Sequence, residues 1–346
     1  MERDALDELA GRFRRFASAE AAGSSPLYER LARGVADDRE LLALAAHRGP
    51  GQPPANLLLA AVHYLLLRGA AGPLRAFYPD LVADPDRGDP WAAFHAFCAA
   101  HRRALEGLLA SRLVQTNEVQ RAACLLPGLV LAAARVGPAP MAMVEIGASA
   151  GLNLLWDRFA YDYRDGRPRG LAGARLRLVC ALRGARRPEL PDVLPAVSSR
   201  TGIDLRPVDV ADADARLWLR ALVWPEHRRR AERLEQALAL AQAEPPRVLA
   251  GDALELLAGV LEALPPGAGA CVIHTHTVNQ LEPAARDRLT ELLVAAARCR
   301  PLARLSIEAI RGQGAELRLG WFEGGREVDA LLARCDPHGE WLEWLA

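Results

Sequence analysis

The segment from Glu145 to Asn153, E-I-G-A-S-A-G-L-N, has five small residues at its centre and offers the clearest chemistry in the 346-residue sequence. It follows the apolar segment 141–146, which predicts a β-strand, and it precedes residues 152–161, which have helical spacing. In an open α/β sheet such a turn lies at the carboxyl end of a strand, where ligands bind and helix-opening N–H groups face them. Small side chains at 147–151 let a ligand approach the backbone. The pattern therefore predicts a site for an anionic group such as a carboxylate.

The same turn has three interpretations. Glu145, Gly147, Ser149 and Gly151 form E-x-G-x-S-x-G, which is similar to the first motif of class I S-adenosylmethionine-dependent methyltransferases, where the turn cradles the methionine portion of the cofactor. The inner G-x-S-x-G also resembles the nucleophile elbow of α/β-hydrolases, which would make Ser149 a nucleophile. That elbow normally follows several earlier strands, and no strand is predicted before 141–146 here, so we favour the cofactor turn. A tight turn with a purely structural role is the third interpretation.

Acidic residues follow later predicted strands at the same edge. In methyltransferase-like folds an acidic residue after the second strand accepts hydrogen bonds from the cofactor ribose, and Asp204 and Asp209 both suit this role. Asp252 follows the next strand, where its carboxylate would accept from the adenine amino group. Each of these residues is also a natural helix cap. The resemblance implies S-adenosylmethionine as cofactor, held by Glu145, Gly147, Ser149, Gly151, Asn153, Asp204 or Asp209, and Asp252.

Three residues are candidates for a general base. His274 ends the predicted strand 270–274 at the edge that faces the ligand, and imidazole titrates near neutral pH. Glu226 and His227, in W-P-E-H, interrupt a helical stretch and are the other candidates. His274 and His276 would share one strand face, but the sequence shows no third ligand, so no metal site is predicted.

Polar residues flanked by apolar segments predict a helical lid over the cofactor cleft, because ligand sites often form at domain interfaces. Substrate contacts are predicted for Gln115, Asn117, Glu118 and Trp224, with Glu226 and His227 nearby. Helix capping by Asn117 and a helix restart at Pro225 explain the same residues without a ligand.

Two kinds of segment must position these residues. Residues 1–138 are predicted to be helical, and the break at 137–140 places a domain boundary there. Residues 139–346 alternate strand and helix, which predicts an α/β, Rossmann-like domain with a mainly parallel sheet. We expect an insertion at 163–201 with a hairpin around 175–183. At the C-terminus, Glu316–Phe322 and Glu340–Leu345 are predicted to form an antiparallel edge pair.

Composition excludes several classes of function. All 43 basic residues are arginine, so Walker-A loops and Schiff-base lysines are absent, and with 43 acidic residues the net charge is zero. No basic patch indicates nucleic acid, and no apolar run approaches the ~18 residues of a membrane span. Six scattered cysteines are typical of a reducing compartment. We expect a cytoplasmic S-adenosylmethionine-dependent methyltransferase of a small molecule. The alternatives are a serine hydrolase that uses Ser149 and a non-catalytic Rossmann-like binding protein. The sequence does not indicate the oligomeric state.

The chain as a whole resembles the bacterial family called domain of unknown function 2332. The resemblance rests on Q-P-P-A-N-L (52–57), V-H-Y-L-L (62–66), Q-T-N-E (115–118), E-I-G-A-S-A-G-L-N-L (145–154), W-P-E-H (224–227) and P-H-G-E-W-L-E-W (337–344). It implies a Rossmann-like, methyltransferase-like architecture and no particular reaction. One departure is T-H-T-V-N-Q-L-E-P at 275–283, where the resemblance predicts a tyrosine and a proline after the histidine.

Overall fold

The computed structural model describes residues 2–115, 117–310 and 314–346. The chain forms two compact units. The first comprises Met1–Thr116 and Asp212–Glu232, and the second comprises Asn117–Ala211 and Arg233–Ala346. The units therefore divide at positions other than residue 138, where the sequence places the boundary.

The elements have the following bounds. The α-helices are α1 (Glu2–Arg15), α2 (Pro26–Ala36), α3 (Arg39–Ala45), α4 (Pro54–Leu67), α5 (Trp91–Ala100), α6 (Arg102–Ser111), α7 (Arg121–Val136), α8 (Ala213–Ala221), α9 (Arg228–Ala243), α10 (Ala253–Glu262) and α11 (Pro283–Ala297). The strands are β1 (Met141–Ile146), β2 (Ala160–Asp162), β3 (Arg169–Gly170), β4 (Arg177–Val179), β5 (Ala181–Arg183), β6 (Val197–Asp204), β7 (Arg247–Ala250), β8 (Ala270–Thr275), β9 (Leu302–Ile310), β10 (Gly314–Glu323), β11 (Arg326–Cys335) and β12 (Trp341–Trp344).

The first unit is helical and has one continuous apolar core. α4 is apolar on almost every side and is buried among the other helices. α8 joins this unit because Trp218 and Ala221 belong to the same core. A buried polar link also ties α8 to α4: His63 contacts the Asp80 carboxylate at 2.9 Å and the Ala221 carbonyl oxygen at 3.0 Å. These long-range contacts explain why a segment far along the chain belongs to the N-terminal helices.

The second unit is built on a nine-stranded sheet in the order β5-β12-β11-β10-β9-β8-β1-β6-β7. The five strands β9, β8, β1, β6 and β7 are parallel, whereas β9, β10, β11 and β12 form an antiparallel meander. The predicted fold class, a Rossmann-like and mainly parallel sheet with an antiparallel C-terminal edge after an N-terminal helical region, is confirmed. All six residues of β1 are buried, as expected for a strand covered on both faces.

α7 belongs to the second unit because it packs on the sheet. The space beside Gly128 of α7 is filled by the side chain of Leu305 on β9. α10 and α11 pack together with the apolar residues of β1 and β8 in another core cluster of this unit.

Two strand predictions were wrong. Glu316–Phe322 and Glu340–Leu345 do not pair with each other, because β11 lies between β10 and β12. Gly324 and Gly325 both have positive φ, 57° and 77°, and form the two-residue turn of the β10–β11 hairpin. Residues 175–183 form no hairpin either: β4 joins a small sheet with β2 and β3, while β5 pairs with β12.

The contact between α7 and β9 gives a stability prediction. An alanine Cβ at Gly128 would lie 2.4 Å from Leu305 Cδ1, so Gly128→Ala forces the helix or the leucine to move. We expect the free energy of unfolding to fall by about 1–3 kcal/mol in urea titrations. The control is Gly259→Ala on α10, where nothing lies within 4 Å of the added Cβ, and it should raise stability by up to about 1 kcal/mol. Equal shifts in the two variants would contradict the packing account.

Candidate functional site

The glycine turn, residues 147–151, follows β1 directly. Gly147, Ser149 and Gly151 have positive φ of 71°, 51° and 69°, so the chain reverses in left-handed steps that glycine tolerates best. The next segment, Leu152–Arg158, is a 3₁₀ helix that is distorted at Leu155. The helix predicted over 152–161 is therefore short and irregular, and it lacks the aligned peptides of an α-helix N-terminus.

Backbone oxygens accept three of the five amide protons of this turn. The Ile203 carbonyl oxygen of β6 accepts from Gly147 N at 2.8 Å and from Ala148 N at 3.2 Å. Gly151 N donates to the Ala148 carbonyl oxygen at 2.7 Å. The two bonds to Ile203 extend the β1–β6 pairing past the end of the strand. All three amides are thus occupied and do not face an open crevice as the sequence suggests.

Side-chain oxygens accept the other two amide protons. Ser149 N donates to Asp204 Oδ2 at 2.8 Å, and Ala150 N donates to Asn117 Oδ1 at 3.2 Å. The Asn117 amide group also donates to Ser149 Oγ. The turn is thus held by two side chains from separate segments, one at the end of β6 and one just before α7.

The two glycines at 147 and 151 are required by protein packing. A Cβ at Gly147 would lie 2.3 Å from Thr277 Oγ1, and a Cβ at Gly151 would lie 2.7 Å from Pro246 Cγ. The turn is therefore packed against the segment after β8 and the start of β7. This packing accounts for both glycines without a ligand.

Glu145 is a buried carboxyl group at the base of the turn, with 1% of its surface exposed. Its Oε1 accepts a hydrogen bond from Asn153 Nδ2 at 2.9 Å. Within the residues that the structure describes, neither Glu145 Oε2 nor Asn153 Oδ1 has a hydrogen-bond partner. Burial raises the pKa of Glu145 to about 8, and Asp204 adds to this rise, while Asn153 and Arg121 oppose it. The group is therefore mostly protonated at neutral pH.

The three candidate aspartates lie in different surroundings. Asp204 ends β6, is half-buried, and bonds the turn through Ser149 N, while its Oδ1 accepts from Arg206 N. Asp209 is exposed and accepts from Ala211 N at 2.8 Å, within its own turn. Asp252 caps α10 by accepting from Leu254 N at 2.8 Å. Of the three, Asp204 is the one that the fold brings to the glycine turn.

His274 has hydrogen-bond partners at both ring nitrogens. Nδ1 lies 2.6 Å from Glu308 Oε1, and Nε2 lies 2.9 Å from Arg304 Nε. Because the guanidinium can only donate, Nε2 carries no proton and Nδ1–H donates to the carboxylate. Burial lowers the pKa of His274, and the Glu308 hydrogen bond offsets this in part. The predicted base is thus a neutral imidazole with no nitrogen left for a substrate in this arrangement.

His276, two residues further along the chain, differs from His274 in its backbone conformation and its hydrogen bonding. Its backbone is left-handed, with φ of 52°. Burial, followed by the charge of Arg121, lowers its pKa to about 4. Among the described parts of the chain its buried Nε2 has no hydrogen-bond partner. From the sequence, His276 is considered only as a possible metal ligand. Its position just after the end of a buried strand is the signal that could have marked it as a candidate base.

The residues predicted to form a lid are distributed between the two units. In the first unit, Glu226 accepts hydrogen bonds from Ser25 Oγ at 2.7 Å and from Leu27 N at 3.0 Å, so its carboxylate caps the N-terminus of α2. His227 contacts Ser24 Oγ and stacks on Trp224. Gln115 is half-buried in this unit.

Asn117 and Glu118 belong to the second unit. Asn117 lies at the glycine turn, as described above, while buried Glu118 accepts from Gln120 N at 3.2 Å. The described residues contain no group of three or more histidine, cysteine, aspartate or glutamate side chains that could hold a metal ion. No described helix is long and apolar enough to cross a membrane.

The buried carboxyl of Glu145 gives a pH-dependence prediction. Its pKa is raised in the folded state, so the unfolded chain releases this proton more readily and its contribution to stability falls as pH rises from about 4.5 to 8. Glu145→Gln removes the titration and keeps an oxygen for Asn153. We expect the variant to gain about 2–4 kcal/mol relative to the wild type between pH 5 and pH 8, measured by urea unfolding. The exposed Glu291→Gln control should show no such trend, and a flat difference for Glu145→Gln would contradict the assignment.

One family matches nearly the whole chain. The model described as "Uncharacterized protein conserved in bacteria (DUF2332)" matches residues 10–344. No curated protein and no solved structure was found to match.

Proposed function

The chain belongs to the bacterial protein family DUF2332, and from the geometry above we propose that it is an S-adenosylmethionine-dependent methyltransferase that acts on a small molecule. The observation that carries the proposal is the pair of side-chain oxygens, Asp204 Oδ2 and Asn117 Oδ1, on consecutive amides of the glycine turn. A ligand oxygen can replace a side-chain oxygen without disturbing the backbone pairing of β1 with β6. Asn117 would thus stand where a carboxylate of the cofactor binds Ala150 N.

The position of the turn in the sheet supports the same proposal. β1 lies between β6–β7 on one side and β8–β9 on the other, so successive crossovers leave it in opposite directions. Ligands of open α/β sheets bind at the carboxyl ends of strands at such a switch point. Asp204 ends the neighbouring strand, where a carboxylate would accept from the ribose hydroxyls. Asp252, at the end of β7, remains the proposed contact of the adenine.

The buried acceptors fit the amino-acid portion of this cofactor. Glu145 Oε2 and Asn153 Oδ1 have no donor among the described residues, and an ammonium group supplies donors and positive charge. Such a charge would favour ionisation of Glu145, whose proton would then be released. The cofactor, when bound, supplies an electrophilic methyl group on a sulfonium.

The chain's own contribution to such chemistry is orientation and, where the acceptor must lose a proton, a base. His274 is held by Glu308 and Arg304, so we propose His276 Nε2 as the proton acceptor. His276 adjoins Thr277, whose side chain fills the space beside Gly147. Its pKa of about 4 keeps the imidazole unprotonated at neutral pH but makes it a weak base, so it would take a proton only from an acidic acceptor or once a bound ligand raises its pKa.

Binding of the cofactor is testable with a matched pair of variants. We expect isothermal titration calorimetry to detect binding of S-adenosylmethionine and S-adenosylhomocysteine to the wild-type chain. Asp204→Asn should weaken this binding about 10- to 100-fold, the range expected for losing one hydrogen bond to a charged group. Asp209→Asn is the control, because Asp209 is exposed and, among the described residues, its side chain accepts from Ala211 N within its own turn. Absence of binding to the wild type would refute the proposal.

A hydrolase reaction is testable at the same turn. Ser149 has the left-handed φ of a nucleophile elbow, but its Oγ is bound by Asn117, and no histidine hydrogen-bonds it within residues 2–115, 117–310 and 314–346. Asn117 Oδ1 also accepts the hydrogen bond of Ala150 N, the amide that would form part of an oxyanion hole in a hydrolase. We therefore expect no labelling by a fluorophosphonate probe. Labelling that disappears in Ser149→Ala would replace the methyltransferase proposal with a hydrolase.

A further inference from the structure

A charged cavity lies on one face of the sheet, formed by the end of β8 with β9, β10 and β11. Its volume is about 380 Å³, near the lower end of the range for small-molecule sites. Its charged side chains, besides neutral His274, are Arg304, Glu308, Glu316, Arg318, Glu327 and Asp329. All of these residues belong to the second unit.

Strand register brings these side chains together. Glu308 of β9 lies opposite Glu316 of β10, and Ser306 lies opposite Arg318. Gly320 lies between Arg304 on one side and Asp329 on the other. Charged residues thus alternate along three adjacent strands and share one face.

The opposite face of the same strands is apolar. Leu305 and Ile307 of β9, with Leu317 and Leu319 of β10, are buried on that side, where α7 packs. The charged residues are therefore confined to the cavity side of strands that lie inside the sheet. Partly burying so many charges is costly unless they are compensated.

The compensation within the cavity is incomplete. Arg318 is shared by Glu316 at 3.0 Å and Asp329 at 2.6 Å. Arg304 donates its Nε to His274 and reaches Glu327 only at 3.4 Å. Among the described residues that line the cavity, two guanidiniums face four carboxylates, and the imidazole adds no positive charge. One of the four, Glu308, also accepts from His274 and from the backbone amides of residues 277–279.

Glu327 is the carboxylate with the weakest partner. Its side chain is only 14% exposed, and burial raises its pKa, with Asp329 adding to the rise and Arg304 opposing it. Gly320 makes room for it, because a Cβ there would lie 2.3 Å from Glu327 Oε1. The strand thus leaves space for a carboxylate whose cation partner among the described residues, Arg304, lies at 3.4 Å.

We propose that this cavity binds a small organic dication, such as an aliphatic diamine. Two positive charges would balance the excess of two carboxylates, and each ammonium supplies three hydrogen-bond donors. This site is separate from the residues of the proposed cofactor site, and it does not depend on methyl transfer.

Calorimetry with putrescine tests the proposal on the full chain at low ionic strength, where charge interactions are least screened. We expect one putrescine per chain and no binding of uncharged 1,4-butanediol. Glu327→Gln and Asp329→Asn should each weaken putrescine binding at least about tenfold. Glu291→Gln, in an exposed ion pair on α11, is the control and should leave it unchanged.

Two further variants make the outcome decisive. Gly320→Ala should also weaken binding, since the new Cβ displaces the Glu327 carboxylate. Asp204→Asn should leave putrescine binding intact, which separates this site from the glycine turn. Circular dichroism melts would verify that each variant is folded. No binding by the wild type, or equal affinity in Glu327→Gln and Glu291→Gln, would overturn the proposal.

Discussion

The carbonyl oxygen of Ile203 accepts hydrogen bonds from two consecutive amides, Gly147 N and Ala148 N. The conformation of the glycine turn after β1 depends on this shared acceptor. It holds the chain against β6 after β1 has ended, so the following residues must turn in left-handed steps. Ser149 and Ala150 are then carried beyond the reach of backbone acceptors, and side chains satisfy their amides. The constraint that extends the pairing of β1 with β6 thus leaves two amides, Ser149 N and Ala150 N, whose hydrogen-bond acceptors are side-chain oxygens.

Buried ionisable groups around this edge are kept in their neutral forms. Burial favours the protonated carboxyl in Glu145 and the uncharged imidazoles in His274 and His276. Neutral groups reduce the cost of burial, and they also retain the capacity to gain charge when a ligand brings an opposite one. The charged cavity differs, because its carboxylates stay near guanidiniums and are only partly compensated.

The sequence could predict the parts of this fold that local patterns determine. Buried parallel strands read as short apolar runs, so β1 and β8 are recognisable from the sequence, and Asp204 is predicted at the correct strand end. Contacts between distant residues determine the rest. Trp218 places α8 in the first unit, Leu305 places α7 in the second, and the partners of His274 follow from the register of β8 with β9. Asn117 reaches Ser149 across 32 positions, which no spacing rule indicates.

His274 is predicted as a base because of its residue type and position, but the residues around it in the fold engage both of its ring nitrogens. Arg304 donates to its Nε2, its Nδ1–H donates to Glu308, and Glu308 in turn accepts from the amides of Thr277 and Val278. Thr277 packs beside Gly147, so this chain of hydrogen bonds links the charged cavity to the glycine turn. His274 contacts Glu308 and Arg304 directly, and it is connected to the turn through Glu308 and Thr277. Substituting His274 would disturb both at once, whereas Asp204 and Glu327 each belong to one, which is why those two carboxylates can separate the proposed cofactor binding from the proposed cation binding.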